Sequence, residues 1–482
     1  MRKNAIYNLI RQIANMAFAL AVFPYVTRIL GASAYGRISF ADSIVGYSLL
    51  IAALGVPSYA IREGARVRDD KETLTRLSSE VFTINLISLV VSCILVCVSC
   101  IFVPKIHGVW KLVLLLNSST ILNVIGRDWI NSVFEDFEYL AKRYIVIHII
   151  ALILVYACIR SENDEYIYAI ITVFAAGSGY LLNIGHTIKN IPIRVARLDS
   201  LKKHMKPILL LFCISLAARI YVYSDITVIG FVCNSNAEVG YYSLASKIYM
   251  MVKTALIAII TVSVPRLSYY LGLGDIQKFK NTEKSIIEVL IIIVVPAIVG
   301  MMTIGKELVL LVGGEEYAPA TFSLQFLSIA LLFSLFGCFF ANGVLVSTRK
   351  EKYFMIATVI TAIENMILNI VLIRHIGIAG AAVSTVLAEA TVCIICFWHA
   401  KEYLPKIDLR VLRDTIIGSM MIPIVCIVVR RIGKGYCYTA LLSVAISILV
   451  YFAALVLLKN QIALSFIHGE KSIRQLFSDK SK

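Results

Sequence analysis

Apolar runs of about 20 residues recur along this chain from one end to the other, and that recurrence limits the fold before any other feature does. A helix of that length crosses a hydrocarbon core of about 30 Å. Inside such a core the backbone must bond to itself, because no water is present to do so. Fourteen candidate spans follow, at about 6–29, 38–60, 80–103, 109–133, 144–160, 166–186, 207–232, 241–265, 285–312, 321–346, 353–373, 376–398, 411–430 and 437–458. Only 16% of the 482 residues are charged, against roughly 25% in soluble domains. The sequence therefore predicts an all-α polytopic membrane protein with short connections and no extramembrane domain.

The net charge of +16 fits the cytoplasmic bias of Lys and Arg better than nucleic-acid binding. With the N-terminus in the cytoplasm, cytoplasmic segments hold 31 Lys and Arg and the opposite side 10. Both termini are thus expected in the cytoplasm. The basic start lacks a small-residue cleavage site, so the first span serves as its own insertion signal. The eleven Cys lie almost all in apolar runs. That includes the CxxC pairs Cys97/Cys100 and Cys393/Cys396, which read as small hydrophobes. The His are scattered, and no Gly-rich phosphate loop or nucleophile elbow occurs. The expectation is no catalytic residue, no metal and no cofactor.

The spans are organised around residues 23–70, where one helix ends near Arg28, a Gly-containing turn follows, and a second helix carries Asp42. A relaxed copy, TVIGFVCNSNAEVGYYSLASKIY, begins at Thr227. Gly36 matches Gly240, Pro57 roughly matches Pro265, and Asn131 matches Asn342 further on. The offset of about 200–211 residues spans six helices. Six is even, so both copies enter the membrane in the same sense, a parallel repeat with the site expected between its halves. The domain plan is a six-helix lobe at 1–190, a basic cytoplasmic linker at 191–206, a second six-helix lobe at 207–402, and two extra helices plus a tail at 403–482.

Polar stripes inside the spans mark candidate sites, since lipid cannot solvate them. Arg11 and Asn15 share a face of the first span with Asn8 and Gln12, and Asn123, Arg127 and Asn131 recur every fourth residue in the fourth. Arg219 and Asp225 lie six apart on the seventh span, so each is expected to take a partner from another helix. Lys247 shares a face of the eighth span with Ser243 and Thr254, whereas Lys253 is off that face and reads as structural. Glu364 sits in a stripe with Thr361, Asn365 and Asn369, and Glu389 follows Thr385 at i+4. Both glutamates read equally as proton or cation sites or as interhelical glue. Arg28 and Arg127 read equally as cavity residues or as interface side chains that snorkel. Pro24, Pro57, Pro265 and Pro296 read as kinks or span ends.

The stretches PYVTRILGASAYGRISFADSIVGY, LGVPSYAIREGARVRDD, NVIGRDWI and VGYYSLASKIY…VPRLSYY resemble the Wzx-type polysaccharide (O-antigen) flippases of the multidrug/oligosaccharidyl-lipid/polysaccharide exporter (MOP) superfamily. The resemblance covers nearly the whole chain and implies a MATE-like plan of six, six and two helices in a bacterial plasma membrane. It implies as substrate a short oligosaccharide on undecaprenyl pyrophosphate, moved from the cytoplasmic to the outer leaflet. A cation-lined cavity would open alternately to each side. Arg11, Arg28, Arg219 and Lys247 lie where that lining would come from, with Arg127 and Asn15 as further candidate contacts. Ion coupling would fall to Asp42, Asp225, Glu364 and Glu389. Partners would be the lipid-linked oligosaccharide and the bilayer, with the polysaccharide polymerase and chain-length regulator of the same pathway. The alternatives are a lipid II flippase, a multidrug cation antiporter of the same superfamily and, in another class, a membrane-embedded glycan polymerase. The intramembrane excess of Arg and Lys opposes the second, and the short outer loops oppose the third.

Overall fold

The computed structural model describes residues 2–188, 191–405, 408–432 and 435–467. Among these every regular element is helical. They form two compact units, Met1–Gly240 and Tyr241–Lys482.

The first unit opens with α1, Arg2–Ala53, whose 52 residues would extend about 78 Å if straight. The helix is not straight. Gly31 departs from helical geometry at φ 72° and ψ 173°. The rings of Phe23 and Tyr35 then meet at 5.7 Å, although twelve residues of straight helix would separate them by about 18 Å. The chain therefore turns back at Gly31, as a residue without Cβ permits. The two limbs of α1 are the first and second predicted spans.

Leu54 and Gly55 take positive φ, and α2 (Val56–Arg66) begins with Pro57 in its first turn, where a missing N–H costs nothing. The second predicted span, 38–60, and the start of the basic connection after it are instead divided at Leu54–Gly55, and residues 56–66 form a short amphipathic helix. Val56, Tyr59, Ala60 and Gly64 form its buried face, and Arg62 and Arg66 pair with Glu63 on the other. Asp70 caps α3 (Lys71–Phe102) through the amides of Glu72 and Thr73. The Thr73 hydroxyl and amide hold its carboxyl below the usual carboxylate range.

After α4 (Pro104–His107) comes α5 (Trp110–Gly126). The fourth predicted span does not run through to residue 133. It breaks at Arg127, which is left-handed at φ 53°, and resumes as α6 (Trp129–Val133). Asn183 of α8 donates to the carbonyl left open at Gly126, and Asn131 donates to Asn183 at 2.6 Å. Asp136 caps α7 (Phe137–Cys158), and a Ser161–Asp164 capping box precedes α8 (Glu165–Ile188). The segment from Ile191 lies along α3, where the Arg194 and Ala196 amides donate to Ser79 and Thr83. It shares a core with Tyr59, Leu74, Trp129 and Ile208. Then α9 (Lys202–Val232) packs on α1 and α2.

The second unit takes in most of α10 (Asn236–Gly272), then α11 (Ile276–Thr303), α12 (Gly305–Gly313) and α13 (Ala320–Cys338), which continues in a wider π-helical turn, Phe339–Leu345. It ends with α14 (Glu351–Ile376), α15 (Ile378–Ala400), α16 (Leu409–Ile432), α17 (Tyr436–Leu457) and α18 (Gln461–Ile467). Pro24, Pro265 and Pro296 all sit inside continuous helices. Among the described residues twelve helical stretches are long and apolar enough to cross a membrane. The first of these is folded double, and α5 is a shorter apolar helix, so each of the fourteen predicted spans falls on helical segments, the second, fourth and ninth interrupted at Leu54–Gly55, Arg127–Asp128 and Ile304.

Gly36 and Gly240, matched by sequence, meet through their backbones. A Cβ on Gly36 would lie 1.8 Å from the Asn236 carbonyl oxygen, and one on Gly240 would lie 2.1 Å from that of Ala32. Ala32 and Asn236, like Gly36 and Gly240, are 204 residues apart, so the contact is self-complementary in the manner of a two-fold interface. Replacing Gly36 with Val is expected to lower the thermal unfolding midpoint of the purified protein, by about 1–3 kcal/mol or more of stability. Gly185→Ala, where the Cβ meets nothing within 4 Å, should leave the midpoint nearly unchanged. Equal midpoints for the two variants would contradict the close approach.

Candidate functional site

In the first unit a polar strip forms where α1, α5, α7 and α8 meet. Arg11 is half-buried and within electrostatic reach of Tyr144 and Tyr180. Tyr144 donates to Asn15 at 2.6 Å, and Asn123 donates to the Tyr180 hydroxyl at 2.6 Å. His148 stacks on Tyr144 with centroids 3.6 Å apart. Below the strip, Arg143 grips Asp128 with two bonds of 3.0 and 2.6 Å, a fork geometry suited to a carboxylate or a phosphate. The sequence reading found Arg11, Asn15 and Asn123 but passed over Tyr144, Tyr180 and Arg143. The i, i+4 spacing of Tyr144 and His148 was the available signal.

A second cluster lies on the α1–α9 seam. Gly46 leaves room for the Tyr223 ring, which an added Cβ would approach to 2.7 Å. Tyr223 then sits 6.0 Å from Tyr47, and Thr227 donates to Ser43 at 3.1 Å. Arg219 donates to the Tyr223 hydroxyl at 3.3 Å and lies over that ring. Its partner is thus one turn along its own helix, where a partner on another helix was expected. Asp225 is buried and within electrostatic reach of Tyr47. The aromatic pair Tyr47/Tyr223 therefore brings Arg219 and Asp225 into one cluster, which their spacing of six residues did not suggest.

Other candidates stand apart from these clusters. Arg28, in the last turn before Gly31, is exposed, as is Asp42 on the second limb, within electrostatic reach of Tyr35. Arg127 is buried, donates Nε–H to the Ile125 carbonyl at 3.0 Å and lies 4.5 Å over the Phe82 ring. It caps its own helix. The expected stripe of Asn123, Arg127 and Asn131 does not run along one helix, because the backbone turns at its middle member.

In the second unit Lys247 is exposed on α10. Glu389 on α15 is buried and ion-paired with Lys253. The Tyr249 hydroxyl donates to the same carboxylate oxygen at 3.3 Å. Two turns back on α10 and one turn back on α15, the hydroxyls of Tyr242 and Thr385 join the two helices at 3.3 Å. Glu364 accepts from Thr391 at 3.1 Å. The Asn365 and Asn369 side chains bond each other and Ser384. This unit also holds a cavity of about 590 Å³, lined by apolar side chains including Ile292, Pro296, Leu308, Ile448 and Phe452.

These arrangements can neutralise an anion, hydrogen-bond hydroxyl-rich groups and seat a hydrocarbon chain. Comparisons with known proteins identify the family. The family model described as "Polysaccharide biosynthesis protein" matches residues 1–271, and that described as "Lipid II flippase MurJ" matches residues 149–453. A Haloferax volcanii protein described as the low-salt glycan biosynthesis flippase Agl15 is 26% identical over 36% of this chain and 37% of its own length. A Shigella dysenteriae protein described as an O-antigen transporter is 23% identical over 82% of this chain and 98% of its own. A solved lipid II flippase MurJ, in an inward closed conformation, superposes with a TM-score of 0.74 at 16% identity, covering 96% of this chain and 100% of that one. The chain belongs to the polysaccharide biosynthesis protein family and is a Wzx-like flippase of the MOP superfamily.

Proposed function

We propose that this protein moves an oligosaccharide linked to undecaprenyl pyrophosphate from the cytoplasmic to the outer leaflet of a bacterial plasma membrane. It would do so by alternating access through a cation-lined cavity, with both termini in the cytoplasm. The observation that carries this reading is the strip of Arg11, Asn15, Tyr144, Tyr180 and Asn123. It sets a guanidinium beside amides and phenols of the kind that bond sugar hydroxyls. A bare diphosphate is far too costly to carry through hydrocarbon, and Arg11, Arg28, Arg219 and Lys247 supply the compensating charge. The apolar cavity of the second unit is suited to a polyprenyl tail. Movement of residues 1–190 against 206–402 would expose the cavity to each side in turn, with Asp42, Asp225, Glu364 and Glu389 coupling the motion to ion flux. Arg127 is left out of the substrate contacts, since its guanidinium is committed to a helix end. The polymerase and chain-length regulator of the same pathway are the expected partners. A second reading, transport of lipid II, draws support from the MurJ match over residues 149–453.

Two predictions follow from this assignment. Arg11→Ala, Arg219→Ala and Lys247→Ala should each reduce glycan export at normal protein level, with Lys or Arg exchanged at the same site retaining more. A tenfold loss corresponds to about 1.4 kcal/mol of lost stabilisation. Undiminished export by all three Ala variants would refute the cationic lining. Proteoliposomes loaded with a lipid-linked oligosaccharide or with lipid II separate the two substrate readings.

The Lys253–Glu389 pair predicts a different pattern. Removing one member of a buried ion pair strands the other, at about 3–5 kcal/mol. Lys253→Met and Glu389→Gln should each destabilise the protein by that order in thermal unfolding, and the double variant should recover much of the loss. If Glu389 couples transport to ions, the double variant will be stable yet slow. A stable double variant that transports normally would remove Glu389 from the coupling path.

A further inference from the structure

Buried acids of the second unit generally have donors in contact. Glu389 has Lys253 and Tyr249, Glu307 has Arg430, and Asp414 has Arg413 and Asn460. Glu283 is the exception among the described residues. It is 0% exposed, both carboxyl oxygens are sealed from solvent, and neither has a hydrogen-bond partner.

Its place in α11 explains the burial. Phe279, Glu283, Ile286, Ile287 and Leu290 are all buried and recur at i, i+4, i+7, i+8 and i+11, the face of a helix that packs inward. Glu283 thus occupies a core position flanked by apolar residues. The elements packed on α11 are α12, α13 and α16, with α17, which carries no charged residue, reaching it through the Tyr451 hydroxyl that donates to the Ile292 carbonyl at 2.6 Å. No residue of α13 is charged. The charged residues of α12 are Lys306 and Glu307, the latter bonded to Arg430 of α16. On the rest of α16, Asp414 binds Arg413, and Arg410 is exposed, as is Arg431. On α11 itself Lys278 pairs with Asp275 and Lys284 with Glu288. Lys280 is the charged side chain whose field reaches Glu283.

A carboxylate held this way, without a donor or a contacting cation, is not tolerated as an ion; the group takes up a proton instead. We propose that Glu283 is a proton-binding site, neutral while α11 stays packed against α13 and α16 and discharged when that packing opens to water. The proton goes from the carboxyl oxygen to solvent and returns by the same route, with no other reactant. Such a group links proton release to any step of a transport cycle that wets this face. It does so whether the substrate is a lipid-linked oligosaccharide, lipid II or another compound.

The test compares thermal stability of the purified protein with that of Glu283→Gln across pH. The folded protein retains a proton that the unfolded chain gives up above about pH 4.3. Wild type should therefore lose stability relative to the Gln variant as pH rises from about 5 to about 8, by up to about tenfold in the folding constant per pH unit. Parallel profiles would overturn the proposal. If neither Glu283→Gln nor Glu283→Met folds, a hydrophobic carbodiimide, which modifies protonated carboxyls, decides on the wild type. An adduct mapped to Glu283 that fades with rising pH supports the site, and no adduct on that peptide overturns it. Neither readout involves transport, so failure of the substrate assignment would leave this result standing.

Discussion

Hydrocarbon offers no hydrogen bonds, and each place where this chain interrupts a helix must answer that fact locally. At Gly31 the answer is a single left-handed glycine, with the aromatic contact of Phe23 and Tyr35 across the bend. At Arg127 it is an asparagine pair. Asn183 supplies the donor for the Gly126 carbonyl, Asn131 holds Asn183, and the Arg side chain covers the Ile125 carbonyl. Where α1 comes to its end, Asn85 and Ser88 of α3 both donate to the Ala52 carbonyl. The buried Asn and Ser residues are thus placed by backbone demand as much as by any ligand.

The same constraint sorts the charges. Several charges in the apolar helices lie beside tyrosines: Arg11 with Tyr144 and Tyr180, Arg219 with Tyr223, Asp225 with Tyr47, and Lys253 and Glu389 with Tyr249. A phenol is suited to this position because its ring packs like a hydrophobe while its hydroxyl serves either sign of charge. The rings beside these charges limit their desolvation cost while the hydroxyls supply hydrogen bonds. Arg127 and Arg143 also lie over rings, Phe82 and Tyr139, but their nitrogens are taken up elsewhere. One is spent on a helix end and the other on a two-pronged carboxylate grip, and both read as structural parts of the first unit.

The fourteen spans were legible because apolar run length is set directly by membrane thickness, a constraint that acts on each segment alone. The fold-back at Gly31 was legible for the same reason: a Gly between two apolar runs, with Arg28 before it. Less visible were features that depend on what packs opposite. The break at Arg127 looks like continuous helix in the sequence, since Asn123, Arg127 and Asn131 keep helical spacing. Only the asparagine on α8 makes the turn affordable there. The amphipathic α2 was hidden by its density of basic residues, because its buried face is four residues of modest hydrophobicity. Lys253 was set aside for lying off the face of Lys247, yet its partner sits on α15, and no spacing within α10 could reveal that. Glu283 was masked by neighbouring lysines that made residues 266–284 read as a polar connection.

The repeat gives the charged positions a further meaning. Gly36 and Gly240 keep the same residue because each must admit a carbonyl where a Cβ would sit. With the same offset of 204 residues, Ser43 corresponds to Lys247 and Leu49 to Lys253, while Asp42 corresponds to Ser246. Ser43 is spent on a neutral bond to Thr227, whereas Lys247 is exposed and Lys253 is paired with Glu389. Backbone approach has held the two copies alike, and charge has driven them apart. A lipid-linked oligosaccharide, the proposed substrate, has an anionic linkage at one end and sugars at the other. Ser43 in the first unit and Lys247 in the second thus differ in charge at matched positions of the repeat, and under the proposed function that difference would serve a substrate charged at one end only.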